Sequence, residues 1–196
     1  MANHTGLILA AGASTRMGRD KASLPWGETT LLSYQVAQMA AAGIQPFVVR
    51  GAGQPIPEDV APARIVCNPQ PERGKTSSIR AGLTALPADF TTLTIVAVDQ
   101  PRPASVYQAL LACQAVTGAA LVAPRYRHRL GHPLLLSAAL RAELAGLTEA
   151  AQGLRQVVRQ QAAALVPVPW EQSLVLCDLN TPEDYRHWRD RLAEFC

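Results

Sequence analysis

Aromatic side chains are scarce in this chain, at 5% of 196 residues, and charged residues make up only 17%. The net charge of +3 suits anionic ligands but is too small to indicate nucleic-acid binding by itself. The four cysteines, Cys67, Cys113, Cys177 and Cys196, form no CxxC pair, and the histidines do not join them at zinc-binding spacing. They read as reduced thiols, which points to a cytoplasmic protein. The longest apolar runs have the length of strands, so no membrane span is expected, and Gly12 to Lys21 interrupts the first of them early. Two common phosphate motifs are also missing. Five residues separate Gly12 from Gly18, and Lys21 does not follow a glycine, so there is no Walker A loop. A dinucleotide fingerprint fails as well, for want of a second glycine before Gly18.

What remains is an ordinary globular composition, 48% apolar, in a chain whose length suits one domain over residues 1–196. Strand-like segments are expected at Gly6 to Ala11, Pro46 to Arg50, Arg64 to Cys67, Thr92 to Val98, Ala119 to Ala123 and Leu174 to Cys177, with a short antiparallel one at Leu134 to Ser137. Helical spacing covers Thr30 to Ala42, Thr76 to Leu86, Pro103 to Val116, Gly153 to Ala164 and Pro182 to Phe195. Thr or Ser side chains are expected to cap the second of these, and Thr181 the last. Continuously apolar strands alternating with helices predict an α/β domain of three layers around a mostly parallel, mixed central sheet, a Rossmann-like arrangement. Ligands of such sheets bind beyond the carboxyl ends of the strands, where the motifs of this chain also fall.

The first motif, LAAGASTRMGRDK over Leu9 to Lys21, follows the first strand. Its small residues let backbone N–H groups approach phosphate oxygens, Ser14 and Thr15 add hydroxyls, and Arg16 and Lys21 can neutralise a triphosphate. A tight turn with two solvated cations would read the same way. In the second, NPQPERGKTSSIRAGL over Asn68 to Leu83, a proline-broken loop passes through Gly74 into a helix start that either is simply capped or receives a polar ligand group. Asp99 ends the most strongly β-branched strand before Gln100-Pro101. It opens a turn, or holds a cation such as Mg²⁺, which takes only one or two protein carboxylates alongside substrate phosphates. Asp178 and Asn180, two apart at what reads as another strand end, would point the same way and precede the cap at Thr181. PRYRHRLGHP over Pro124 to Pro133 is the densest basic segment, without a second basic stripe to track nucleic acid. His4 and His187 read as surface residues, and Trp170 and Trp188 as packing residues.

Together these segments resemble the molybdopterin nucleotidyltransferases, and the loop LAAGASTRMGRDK followed by Leu24-Pro25-Trp26 looks most like the molybdenum cofactor cytidylyltransferases. The resemblance runs over nearly the whole chain, with five motifs in order. It implies a nucleotidyltransferase fold and an enzyme that transfers CMP from CTP to molybdenum-molybdopterin, forming the cytosine dinucleotide and pyrophosphate. Carried over, it makes Arg16, Lys21 and Asp99 catalytic, and places Leu9, Ala10, Ala11, Gly12, Asn68, Gly74 and Ser78 on the nucleotide. Asp99 and Asp178 would hold Mg²⁺, and Gly131, His132, Arg155 and Asn180 would face the acceptor. Here Val98 and Gln100 flank the aspartate, where the cytidylyltransferases often have Gly-Asp-Met-Pro. Implied partners are CTP, a phosphorylated acceptor of the molybdopterin kind and a molybdoenzyme or its chaperone, with no nucleic acid and no membrane. Transfer of CMP or GMP to another small phosphate ester, and a non-catalytic nucleotide-binding cofactor chaperone, stay open.

Overall fold

The computed structural model describes residues 2–13, 17–57 and 59–195. In chain order the elements are β1 (His4–Leu9), β2 (Pro25–Trp26), β3 (Thr29–Thr30), α1 (Leu31–Ala41), β4 (Gln45–Gly51), β5 (Arg64–Asn68), α2 (Lys75–Ala85), β6 (Thr92–Ala97), α3 (Ala104–Thr117), β7 (Leu121–Tyr126), β8 (Arg129–Leu130), β9 (Leu134–Ser137), α4 (Arg141–Ala145), α5 (Leu154–Gln160), β10 (Leu165–Trp170) and α6 (Pro182–Arg189). One sheet runs β10-β7-β9-β6-β1-β4-β5, with β8 paired to β7. The β1–β4, β1–β6, β4–β5 and β7–β10 pairs are parallel, and β9 runs antiparallel between β6 and β7. The domain is α/β with a mixed, mostly parallel sheet, as the strand and helix spacing predicts.

The three layers follow from the two-residue period of the strands. Ile8, Val48 and Val96 face one side, where they meet Leu32, Val36 and Met39 of α1 and Val106 of α3. Leu7, Leu9, Phe47, Val49 and Ile95 face the other side and meet Ile79 and Leu83 of α2, Leu144 of α4 and Val157 of α5. Thr30 caps α1 by accepting from Ser33 N, and Thr181 and Asp184 form a reciprocal capping box at α6.

Several expectations are corrected. Leu174 to Cys177 is no strand: Ser173–Leu176 is a 3-10 turn. The sixth parallel-sheet element is β10 instead, which carries Pro167 and Pro169 on an edge. No Thr or Ser caps α2. Gly74 takes the cap position at φ 86°, and the Glu149 carboxylate accepts from Thr76 N at 2.7 Å. The closing helix stops at Arg189 and α5 at Gln160, both earlier than their periodicity suggests. His4 is half-buried, its Nδ1 2.8 Å from Thr92 Oγ1.

Candidate active site

β1 lies where the sheet order reverses, with β4 and β5 on one side and β6 on the other. The carboxyl ends of β1 and β6 therefore open into a shared crevice. A cleft of about 310 Å³ sits there. Leu9, Ala10, Ala11 and Gly12 form one wall, Gly74 and Ser78 another, and Ala97 to Asp99 the floor, with Lys21, Lys75 and Asn180 around them. Arg16, with Ser14 and Thr15, lies outside the described residues, as does Cys196.

The backbone of the first loop is pinned. Ala10 N donates to Val49 O at 2.9 Å and Val98 N to Leu9 O at 3.0 Å, which continues the ladder past the strand ends. Below the loop lies Arg50, only 2% exposed. Its Nη1 donates to Ala10 O at 2.7 Å, and its Nη2 to Pro55 O at 2.7 Å and to Asp20 Oδ2 at 2.5 Å. Asp20 in turn accepts from Ala22 N, starting the short 3-10 turn that carries Lys21. Arg50 thus sets the height of the loop and the position of Lys21. The sequence reading missed it, because an arginine closing a buried strand shows no local sign of where its side chain goes.

Lys21 Nζ donates to Asp99 Oδ2 at 2.6 Å, both side chains mostly buried. The other oxygen, Asp99 Oδ1, is buried and finds no hydrogen-bond donor among the described residues. A buried carboxylate oxygen without a donor is costly, and a hard cation would satisfy it. Asp178 sits near enough that burial and then the Asp99 charge raise its carboxyl above the usual range, while Lys75 and Lys21 draw it down. Asp178 itself is exposed and is not among the residues that line the cleft, so the orphaned Asp99 Oδ1 is the feature that fits a divalent cation, with Asp178 close enough to feel the same charge.

Asp178 and Asn180 do not lie on a strand end. They follow the 3-10 turn, with Leu179 buried between them, and Leu179 N donates to Asp99 O at 2.9 Å. That bond, rather than strand periodicity, brings this segment to the floor of the cleft. Asn68 lies one step behind. Its amide donates to Ser77 Oγ at 2.8 Å and Ser78 Oγ at 3.0 Å, so it holds the wall instead of lining the cleft. Lys75, exposed at the start of α2, lines the cleft.

On the acceptor side, a Cβ at Gly131 would strike the Val175 carbonyl, so only glycine lets this loop approach. Burial, then the charges of Arg102, Lys75 and Arg155, holds the His132 imidazole neutral down to about 4, against the pull of Asp99. Arg155 is exposed on the first turn of α5. Gly131, His132 and Arg155 are not among the residues that line the cleft. Among the described residues, no cluster of three metal-ligating side chains and no helix long and apolar enough to cross a membrane is found.

Residues 6–165 match the profile of the MobA-like NTP transferase domain. A probable molybdenum cofactor guanylyltransferase of Opitutus terrae is 32% identical over 198 residues, covering 95% of this chain and 93% of its own. A nicotine blue oxidoreductase of Paenarthrobacter nicotinovorans is also 32% identical, covering 92% of this chain and 90% of its own. Among solved structures, Rv0371c from Mycobacterium tuberculosis H37Rv aligns with a TM-score of 0.80 at 23% identity, over 96% of this chain and 99% of that one. The same protein in complex with manganese aligns with a TM-score of 0.73 at 24% identity, over 99% and 100%. At such identities these structures establish the fold, and the profile match establishes the family: the chain belongs to the MobA-like NTP transferases.

Proposed function

We propose that the chain transfers CMP from CTP to molybdenum-molybdopterin, giving the cytosine dinucleotide and pyrophosphate. The observation that carries the catalytic reading is the Asp99 carboxylate, one oxygen on Lys21 and the other buried without a donor, on the floor of a cleft beside Asp178. Asp99 and Asp178 would hold a divalent cation, proposed as Mg²⁺; the manganese in the mycobacterial neighbour supports a divalent ion. When bound, such an ion draws charge from the nucleotide phosphates.

The residues of the chain supply position and charge. The loop from Leu9 to Gly12 presents its backbone to the triphosphate, and Arg50 beneath keeps that backbone in register. Gly74 and Ser78 form the nucleotide-facing wall, which Asn68 braces. Lys21, with Arg16, offsets the charge that develops on the departing pyrophosphate. His132, Gly131, Arg155 and Asn180, of which only Asn180 lines the cleft, are the residues proposed to receive a phosphorylated acceptor, which would attack the α-phosphorus in line. His132 stays neutral at physiological pH, so it offers a hydrogen bond there without adding charge. Phosphoryl transfer asks the protein mainly for alignment and electrostatic stabilisation, with no covalent intermediate.

For the base, Ala11 supports CTP. Its methyl group stands in the cleft wall where molybdopterin guanylyltransferases typically have glycine, and it disfavours the bulkier purine. The guanylyltransferase relative favours GTP. Pyrophosphate release, measured with each nucleoside triphosphate with and without molybdopterin, separates these readings. Molybdopterin-dependent release with CTP, lost by roughly 10²–10³-fold in Asp99→Asn, is expected. Release with GTP alone overturns the base assignment. Release with another phosphate ester but not with molybdopterin overturns the acceptor. No release with any triphosphate overturns the transferase reading, as a cofactor chaperone or an oxidoreductase like the Paenarthrobacter relative would require.

A further inference from the structure

Arg102 is fully buried, and among the described residues it forms no ion pair. Its guanidinium instead donates to four backbone carbonyls: Nη1 to Pro101 O at 2.6 Å, Nε to His132 O at 2.7 Å, and Nη2 to Val175 O at 2.8 Å and Cys177 O at 2.9 Å. Those carbonyls belong to three segments far apart in sequence, and none of them is in a strand. The first lies two residues after Asp99, the second carries Gly131 and His132, and the third leads into Asp178 and Asn180.

We propose that Arg102 is a positioning residue that fixes the distance between Asp99 and the Asp178–Asn180 segment, so that the two carboxylates can share one cation. The inference rests on the metal-dependent reading given above.

Three observations carry it. A buried guanidinium without a carboxylate is expensive, and the expense is met only because its fork spans acceptors on separate segments. The segments it joins make only sparse direct bonds to one another. His132 N donates to Val175 O and Leu179 N to Asp99 O, so Val175 O serves both the loop and the guanidinium. Neither segment has sheet pairing at these residues, since the 3-10 turn replaces the expected strand. Without the fork, the hydrogen bonds left among the described residues to set the depth at which Asp178 stands from Asp99 are these two amide bonds, beside the burial of Val175, Cys177 and Leu179. A lysine cannot replace the guanidinium, because one ammonium cannot reach carbonyls on both sides of the fork.

The test compares wild type, Arg102→Lys, Arg102→Gln and Asp99→Asn. Mn²⁺ retention in the presence of CTP or GTP is read by the EPR signal of the free ion, and local order by amide hydrogen exchange. In both Arg102 variants we expect Mn²⁺ affinity to fall about 10–100-fold, as when an outer partner of a metal ligand is lost. The amides of Leu179 and His132 should exchange about tenfold faster while that of Val98, bonded to Leu9, is unchanged. Turnover should fall with KM for the triphosphate unaltered. Wild-type exchange and Mn²⁺ affinity in both variants overturn the proposal. So does loss of the cooperative melting transition in both, or a fall of Val98 protection in step with Leu179, because Arg102 is then a general folding residue. A wild type that retains no more Mn²⁺ than Asp99→Asn overturns the metal reading and this proposal with it. Exchange at Leu179 then still shows whether the clamp itself exists.

Discussion

Asp20→Asn should be among the most damaging single substitutions in the cleft lining, through its bond to Arg50. Arg50 is 2% exposed, and its side chain meets one carboxylate and two carbonyls. Its Nε finds no acceptor among the described residues, so no spare interaction can take up the lost charge. Asparagine keeps an oxygen for Ala22 N but turns a donor towards Arg50 Nη2. Breaking one side of a buried pair costs about 3–5 kcal/mol, and the 25% exposure of the Asp20 side chain reduces that to about 2–3 kcal/mol. With a urea dependence near the top of the usual range, about 3 kcal/mol per molar, the midpoint should fall by about 0.7–1 M. The fluorescence of Trp26, buried beside α1, reports the transition. Arg50→Met removes the charge from the other side, so the double variant should be less unstable than the sum by about 2 kcal/mol. A midpoint shift below about 0.2 M, or an additive cycle, would show that the pair is screened and the loop held by the carbonyl bonds alone.

Lys21→Ala should lower kcat by roughly 10²-fold while KM for the triphosphate rises far less, because its charge matters most as pyrophosphate departs; steady-state kinetics showing a change in KM alone would assign it to ground-state binding. His132 is held neutral to about 4 in the folded protein, against an ordinary value of 6.5, so the unfolded chain takes up this proton first. The associated stability is complete above 6.5 and lost as the pH falls towards 4, and His132→Gln should flatten that loss. Urea midpoints at neutral and mildly acid pH check this, and an equal loss in both proteins refutes it. Ala11→Gly should narrow the preference for CTP over GTP, a methyl-sized effect of about 1–3 kcal/mol or roughly 10–200-fold, measured as the ratio of kcat/KM values. An unchanged ratio removes Ala11 from base selection.

Much of the fold was legible because its signals are local. The helix begun by Thr30 and stopped before Gly43, the parallel strands β1, β4, β5 and β6 and the antiparallel β9 all lie within a residue or two of where periodicity puts them. The failures have distant causes. β10 reads poorly as a strand because of Pro167 and Pro169, yet the two share one parity, so both missing N–H groups face the same side of a strand that pairs only with β7. Leu174 to Cys177 has strand composition, but no strand pairs with it among the described residues, and Arg102 takes the carbonyls of Val175 and Cys177. The cap of α2 comes from Glu149, 73 residues away from the amide it serves.

The candidate site divides along the same line. Ala11, Gly12, Lys21, Gly74, Ser78 and Asp99 stand at strand ends or helix starts, and their chemistry is short-range: small residues free a backbone, a lysine or carboxylate projects from a turn. Such residues announce themselves by type and by position after a strand. Arg50 and Arg102 do not. An arginine in sequence reads as surface charge, and only the fold turns each inward, where it spends its donors on carbonyls from other segments. Both lie directly under a strand end that faces the cleft, one under β1 and one beyond β6. Loops that must keep a ligand-binding shape without strand pairing need donors from elsewhere, since buried carbonyls left unpaired cost more than the arginine's burial can withhold. A guanidinium is the side chain whose donors can reach several such carbonyls at once, so in this domain the buried arginines Arg50 and Arg102 mark where irregular backbone beside the candidate site is held.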